Sequence, residues 1–194
     1  MCSRFALTSP LGRLVERFGL SVPPPLPNRG VVRPTDLALV VLPGRAAVLR
    51  PWGLTVDWSR RPVINARAET LATKPTFRRL LEHRVVVPAD VYTEWRTAPD
   101  GAKVPHHIGR ADGQMMGMAG LVDADGRFIV VTCAPAETVA FIHDRMPAVL
   151  PDTNAESAWL DGRVPFAEVA PLLAPYPHAL VVEEEGRKQG DLFG

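Results

Sequence analysis

The chain opens Met1-Cys2-Ser3-Arg4-Phe5, and the chemistry of its second residue depends on its place. A small residue at position 2 permits removal of the initiator methionine, which leaves Cys2 with a free α-amine and a thiol on adjacent carbons. Such a 1,2-aminothiol reacts with aldehydes in a way that no internal cysteine can. The amine condenses to a Schiff base, and the thiolate then closes on the imine carbon to give a five-membered thiazolidine. Ordinary pKa values of about 7.7–8.0 for the amine and about 8.5 for the thiol leave both nucleophiles partly available near neutrality. A cysteine that is merely buried or incidental is the competing reading of a residue at this position.

A second candidate feature is Trp52 beside Gly53. The pair suits an aromatic platform for an unstacked base, with the glycine letting a strand approach closely; core packing is the alternative. Around it lies the most basic stretch of the chain: residues 45–84 carry 9 Lys and Arg against 3 Asp and Glu. The formal net charge of +1 hides this asymmetry, since residues 1–84 hold 14 Lys and Arg against 5 Asp and Glu. Nearly all the positive charge is arginine, and lysine occurs at positions 74, 103 and 188 alone. Arginine forks phosphate and stacks on bases, so a polyanion partner for the N-terminal half is the expectation, against the alternative of solvated surface charge.

The elements that must hold these residues are short. Pro10 followed by Leu11, Leu14, Val15 and Phe18 predicts a small amphipathic helix stopped by Gly19. Leu37 to Val41 and Ala46 to Leu49 read as strands joined at Pro43-Gly44. A short helix is expected over Arg78 to Glu82. Strands are expected over Val85 to Val87, Val91 to Trp95, Val104 to Ile108, Met115 to Leu121 and Phe128 to Cys133. Thr153 with Glu156 has the spacing of a capping box, opening a helix through Trp159-Leu160 that stops at Gly162. Helices at both ends and a strand-rich middle, without regular βαβ alternation, predict a single α+β domain. It is expected to span residues 1–182, ahead of a polar tail over 183–194.

Four further blocks follow Cys2 in order: Arg50-Pro51-Trp52-Gly53-Leu54; Pro62-Val63-Ile64-Asn65-Ala66-Arg67-Ala68-Glu69-Thr70; Pro88-Ala89-Asp90-Val91-Tyr92-Thr93-Glu94-Trp95; and Ile142-His143-Asp144-Arg145-Met146-Pro147. Together with the N-terminus they resemble the SOS response-associated peptidase (SRAP) family over roughly residues 1 to 160. The resemblance implies a mixed, mostly antiparallel or barrel-like core with short flanking helices. It also implies a sensor of abasic sites in single-stranded DNA, with Cys2 as the nucleophile of a DNA–protein cross-link. Asn65 would then hold the Cys2 amine or the opened sugar, and Arg67 would clamp a phosphate. Glu94 and His143 would form the acid–base pair that sugar opening and loss of water require. Arg4, Arg78, Arg84 and Arg145 are further expected DNA contacts, beside Trp52 and Gly53. Against these stand plainer readings: an exposed strand carboxylate for Glu94, and a loop histidine capping backbone groups for His143.

Ser3 departs from the glycine usual after the nucleophile, and Tyr92-Thr93-Glu94 stands where Phe-Tyr-Glu is commoner. No metal or other cofactor is expected: His106 and His107 alternate along a strand, Cys133, His83 and His178 match no catalytic position, and no Cys/His set has zinc spacing. The absence of a basic region followed by an apolar stretch at the N-terminus predicts no secretory signal, and no apolar run approaches membrane-spanning length. A cytoplasmic monomer with reduced thiols, associated with the nucleoid when on DNA, is the expectation. Alternatives are a thiol peptidase acting on its own Met1 bond, an abasic-site lyase, and a non-covalent single-stranded DNA binder. Gln189-Gly190-Asp191-Leu192-Phe193 is a candidate docking tail.

Overall fold

The computed structural model describes residues 2–21 and 30–186. The N-terminal segment forms β1 (Phe5–Leu7), α1 (Leu11–Phe18) and β2 (Gly30–Val32). The next region holds β3 (Leu37–Val41), β4 (Ala47–Pro51), β5 (Leu54–Val56), β6 (Ser59–Val63), β7 (Asn65–Arg67) and α2 (Pro75–Arg78). The long strands follow: β8 (Arg84–Ala89), β9 (Val91–Thr97), β10 (Lys103–Arg110), β11 (Met116–Val122) and β12 (Phe128–Cys133). The chain closes with β13 (Met146–Pro147), α3 (Thr153–Leu160), α4 (Phe166–Val169) and β14 (Leu180–Glu184).

The strands build a five-stranded sheet in the order β14-β10-β9-β1-β2 and a larger one in the order β13-β12-β11-β8-β3-β4. Pairing is antiparallel except where β7 runs parallel to β12, with Asn65 opposite Val130 and Arg67 opposite Thr132. This is the expected α+β domain, and among the described residues the sheets stay open rather than closing into a barrel. Val85, Val86 and Val87 of β8 are fully buried, as an unbroken β-branched run in a central strand should be.

Two features place the N-terminus. Phe5 pairs with Tyr92 in β9 while its ring packs 5.1 Å from Trp52, which in turn stacks 6.3 Å from Phe128. Immediately after β1, the backbone N–H groups and hydroxyls of Thr8 and Ser9 all donate to the Asp90 carboxylate. Burial works to raise the Asp90 pKa, and these hydrogen bonds outweigh it, leaving the group below the usual carboxylate range. Cys2 is thus held by a short strand with an aromatic anchor and a hydrogen-bonded clasp.

α1 forms where Pro10 and Gly19 bracket it: Leu14 and Phe18 are buried, and Gly19 takes the left-handed conformation at φ 61° that closes the helix. α3 differs from the expected capping box. Asp152 is the N-cap, its side chain accepting from the Ala155 N–H, while Glu156 turns inward and pairs with Arg17 and Arg45. A fully buried carboxylate needs cationic partners more than the helix needs a second cap. α2 begins at Pro75, earlier than the helix expected over Arg78 to Glu82. The expected domain limit at 182 falls inside β14, where Glu183 pairs with His107 and Glu184 with His106. The candidate docking tail at 189–193 lies outside the described residues. No helix among the described residues is long and apolar enough to cross a membrane.

Candidate active site

Cys2 is fully buried, with its thiol 3.5 Å from the Arg4 carbonyl oxygen. Its own carbonyl oxygen accepts a hydrogen bond of 2.6 Å from Asn65 Nδ2. That bond fixes the amide orientation, because only the nitrogen can donate. The other end of the amide, Oδ1, is buried and has no hydrogen-bond partner among the described residues. An unmet acceptor beside a candidate nucleophile is a place for a donor, either an α-amine or a sugar hydroxyl.

Glu94 comes from β9, next to the strand that carries Cys2. Its residue is only 2% exposed, and burial, aided by the Asp144 carboxylate, raises its pKa to about 7. A carboxyl titrating there can both take and give a proton at neutral pH. The Cys2 thiol is pushed up strongly, first by burial and then by the Glu94 charge, so the thiol is neutral at rest and Glu94 lies within its electrostatic reach.

His143 stands in the loop before β13. The loop is carried over Glu94: the Phe141 ring, 62% exposed, stands edge-on to His106, which lies directly opposite Glu94 in β10. Burial lowers the His143 pKa, with Asp144 acting against it. In the neutral ring Nδ1 accepts the Arg145 N–H at 3.0 Å, which leaves the hydrogen on Nε2. In the protonated ring the same Nδ1 donates to Asp144 Oδ1 at 2.8 Å. Asp144 therefore acts on both members of the expected acid–base pair. The structure brings Cys2, Asn65, Glu94 and His143 together from four separate segments.

The expected DNA contacts divide. Arg67 is exposed and lies two residues past Asn65 on β7, hence on the same strand face and nearer solvent. Arg78 is exposed at the end of α2. Arg4 sits 4.9 Å over the Trp95 ring, on the Thr93 side of β9 and away from Glu94, so it is not a wall of this pocket. Arg145 is already occupied: Glu69 accepts from it at 2.7 and 2.9 Å, and the Thr132 carbonyl oxygen at 2.6 Å. That clamp ties the His143 loop to the turn after β7.

Three expectations are overturned. Trp52 is fully buried, with Nε1 donating to the Ile64 carbonyl oxygen, so it is a core residue and not a base platform. Gly53 serves packing rather than DNA approach: at φ 119°, a Cβ there would lie 2.8 Å from Pro62 Cβ. Arg84 is buried and donates to the carbonyl oxygens of Leu81, Trp159, Asp161 and Val164, which leaves nothing for a phosphate. The exposed aromatic of this region is instead Trp58, 67% exposed in the turn between β5 and β6, beside the exposed Arg60 and Arg61. A tryptophan between Asp57 and Ser59, at the tip of a hairpin and followed by two arginines, was a readable signal. Asp144 and Tyr92 were also missed: Asp144 reaches Glu94 from a loop far along the chain, and Tyr92, two residues before Glu94 on β9, shows its unpaired hydroxyl only once the fold buries it.

The chain is similar to known proteins over nearly all of its length. A family model described as SOS response associated peptidase (SRAP) matches residues 1–185. The abasic site processing protein YoqW of Bacillus subtilis is 32% identical over 198 residues, covering 91% of this chain and 88% of its own length. The abasic site processing protein YedK of Escherichia coli is 33% identical over 193 residues, covering 90% and 86%. A crystal structure from Bordetella bronchiseptica aligns with a TM-score of 0.79 at 26% identity, over 94% of this chain and 99% of that one. Another from Bacteroides thetaiotaomicron reaches 0.80 at 24% identity over 94% and 91%, a likeness of fold.

Proposed function

The chain belongs to the SOS response associated peptidase family, and on that premise we propose that it captures abasic sites in single-stranded DNA as a thiazolidine on Cys2. The observation that carries the reading is the junction at Cys2: its main chain is held by Asn65, and a buried carboxyl titrating near neutrality lies within electrostatic reach of its thiol. The names of the relatives YoqW and YedK as abasic site processing proteins point to the same substrate.

With Met1 removed, the Cys2 nitrogen is an amine. As the abasic deoxyribose opens to its C1′ aldehyde, the C1′ hydroxyl proton passes to His143, neutral through burial, and the imidazolium so formed gives a proton to the ring oxygen and is neutral again. The amine then adds to C1′, the carbonyl electron pair moves to oxygen, and the amine's proton passes to the Glu94 carboxylate. Glu94 returns that proton to the C1′ oxygen to give the hydroxyl, then relays the remaining N–H proton to it, so that it leaves as water and gives the imine. The thiol adds to the imine carbon, the sulfur–carbon bond forms, and the thiol proton ends on nitrogen. Aldehyde and aminothiol thus yield thiazolidine and one water. A thiol kept neutral by burial suits this order, because the sulfur acts last and on a polarised imine carbon.

Arg67 on the rim and Trp58 on the hairpin supply a phosphate contact and a stacking face, which suits an unpaired strand. The test is a denaturing gel of processed protein with an abasic single-stranded oligonucleotide. A heat-stable shifted band is expected. A cleaved strand without a shift would make the chain a lyase, binding without either would make it a non-covalent binder, and both results overturn the reading.

A further inference from the structure

Tyr92 carries a hydroxyl with no part in the reaction above. It lies in β9 two residues before Glu94, so both side chains leave the same face of the strand. The residue is fully buried, and its hydroxyl has no hydrogen-bond partner among the described residues, although Cys2, Glu94 and Cys133 are all within its electrostatic reach. Its partner across the sheet is Phe5, so the ring is fixed by the same strand that carries the nucleophile. A buried hydroxyl left unpaired costs about 1–3 kcal/mol. A phenylalanine would fill the same space without that cost, so the oxygen calls for a reason.

We propose that the Tyr92 hydroxyl is a hydrogen-bond donor to the oxygen on C1′ of the bound abasic sugar; the proposal rests on the cross-linking reading above. Asn65 Oδ1 is the complementary group, an unmet acceptor on the residue that holds the Cys2 main chain. Burial first, with the neighbouring Cys2 and Glu94 acting in the same direction, holds the phenol protonated, so it donates across the whole working range. When the Cys2 nitrogen bonds to C1′, the carbonyl pair moves onto oxygen. Tyr92 hydrogen-bonds that oxygen without surrendering its proton, and Glu94 supplies the proton with which it leaves as water. A donor already desolvated in the pocket needs no reorganisation at that moment.

The experiment is Tyr92→Phe, processed at Met1 like the wild type, with both followed in single-turnover cross-linking to an abasic single-stranded oligonucleotide. The cross-linking rate at saturating DNA should fall on the order of 10²-fold, the loss usual for one donor to a developing oxyanion. The DNA concentration giving half-maximal rate should not move, and Tm should stay equal or rise, because an unmet hydroxyl has been removed. A wild-type rate for Tyr92→Phe overturns the proposal. So does a lowered Tm with weakened DNA binding, which would make the residue structural. Failure of the wild type itself to cross-link would instead sink the reading on which the proposal rests.

Discussion

The Asn65 side-chain amide donates to the Cys2 carbonyl oxygen at 2.6 Å, joining residues 63 apart in sequence. Asn65 is held by the parallel pairing of β7 with β12, and Cys2 by the antiparallel pairing of β1 with β9. The bond therefore ties the larger sheet to the five-stranded one at the nucleophile. It leaves the amide oxygen buried and without a hydrogen-bond partner among the described residues.

Cys2→Ser should abolish the heat-stable cross-link, because an oxygen nucleophile closes a less persistent ring on the imine. Retaining Met1 behind an uncleaved N-terminal tag should do the same with the thiol intact, since an amide nitrogen cannot form the Schiff base. Denaturing gels of both variants check this, and a normal yield from either removes the aminothiol mechanism.

Glu94 makes the pH dependence specific. With its pKa raised to about 7, the carboxylate needed as first base appears through that pH, so the cross-linking rate should climb there. Glu94→Gln should lower the rate about 10²–10⁴-fold and lose the inflection. Stability runs the other way. Between its ordinary value of 4.5 and about 7 the folded chain holds a proton that the unfolded chain has lost. Wild-type stability should therefore fall as pH rises through that window, at a slope of at most about 1.4 kcal/mol for each step of one in pH. Thermal melts across pH 4–8 should show the fall in the wild type and not in Glu94→Gln.

Two arginines from the same basic stretch should behave oppositely. Arg67→Ala should fold normally, bind abasic single-stranded DNA more weakly, and reduce the salt slope by roughly 0.7, one phosphate's worth on a single strand. Arg84→Ala should instead unfold the protein, costing about 4 kcal/mol or more by leaving buried carbonyl oxygens unpaired. Salt titrations of binding and urea melts separate the two, and equal effects on folding would remove the distinction.

The tryptophans divide in the same way. Trp58→Ala should leave Tm unchanged and cost about 1–3 kcal/mol of single-stranded DNA affinity as a stacking face is lost. Trp52→Ala should lower stability by about 3–5 kcal/mol, since it opens a cavity between Phe5 and Phe128. Fluorescence titration with an undamaged oligonucleotide is the check for Trp58, and an unaltered affinity would remove it from the interface.

Asp90→Ala should loosen the N-terminal strand, because Thr8 and Ser9 lose their common acceptor. Its folded pKa lies below the unfolded one, so its stabilisation is present above the ordinary carboxylate range and is lost as pH falls through the folded value. The variant should melt lower than wild type at pH 7, converge with it in acid, and cross-link more slowly at both Tm-matched and fixed temperatures. A wild-type cross-linking rate at pH 7 would show that the clasp does not position Cys2.

Local pattern was sufficient for α1, for the β3–β4 hairpin and for the long strands β8 to β12, whose apolar runs and turn residues act over a few positions. Cys2 was legible from its place at the N-terminus, whereas Asn65, Glu94 and His143 were marked by the resemblance of the ordered motifs to the family and not by residue type. Charge and aromaticity were legible as composition and not as exposure. Trp52 and Trp58 are both tryptophans beside arginines, and only packing against Phe5 and Phe128 buries the first while leaving the second in solvent. Arg67 and Arg84 are equally basic in sequence, yet Arg84 is surrounded by carbonyl oxygens from α3 and the turn that follows it. The raised pKa of Glu94 and the unmet hydroxyl of Tyr92 belong to neither residue alone. Desolvation and unpaired hydrogen bonds are properties of what surrounds a group, and the surroundings of this pocket are assembled from strands far apart in the chain.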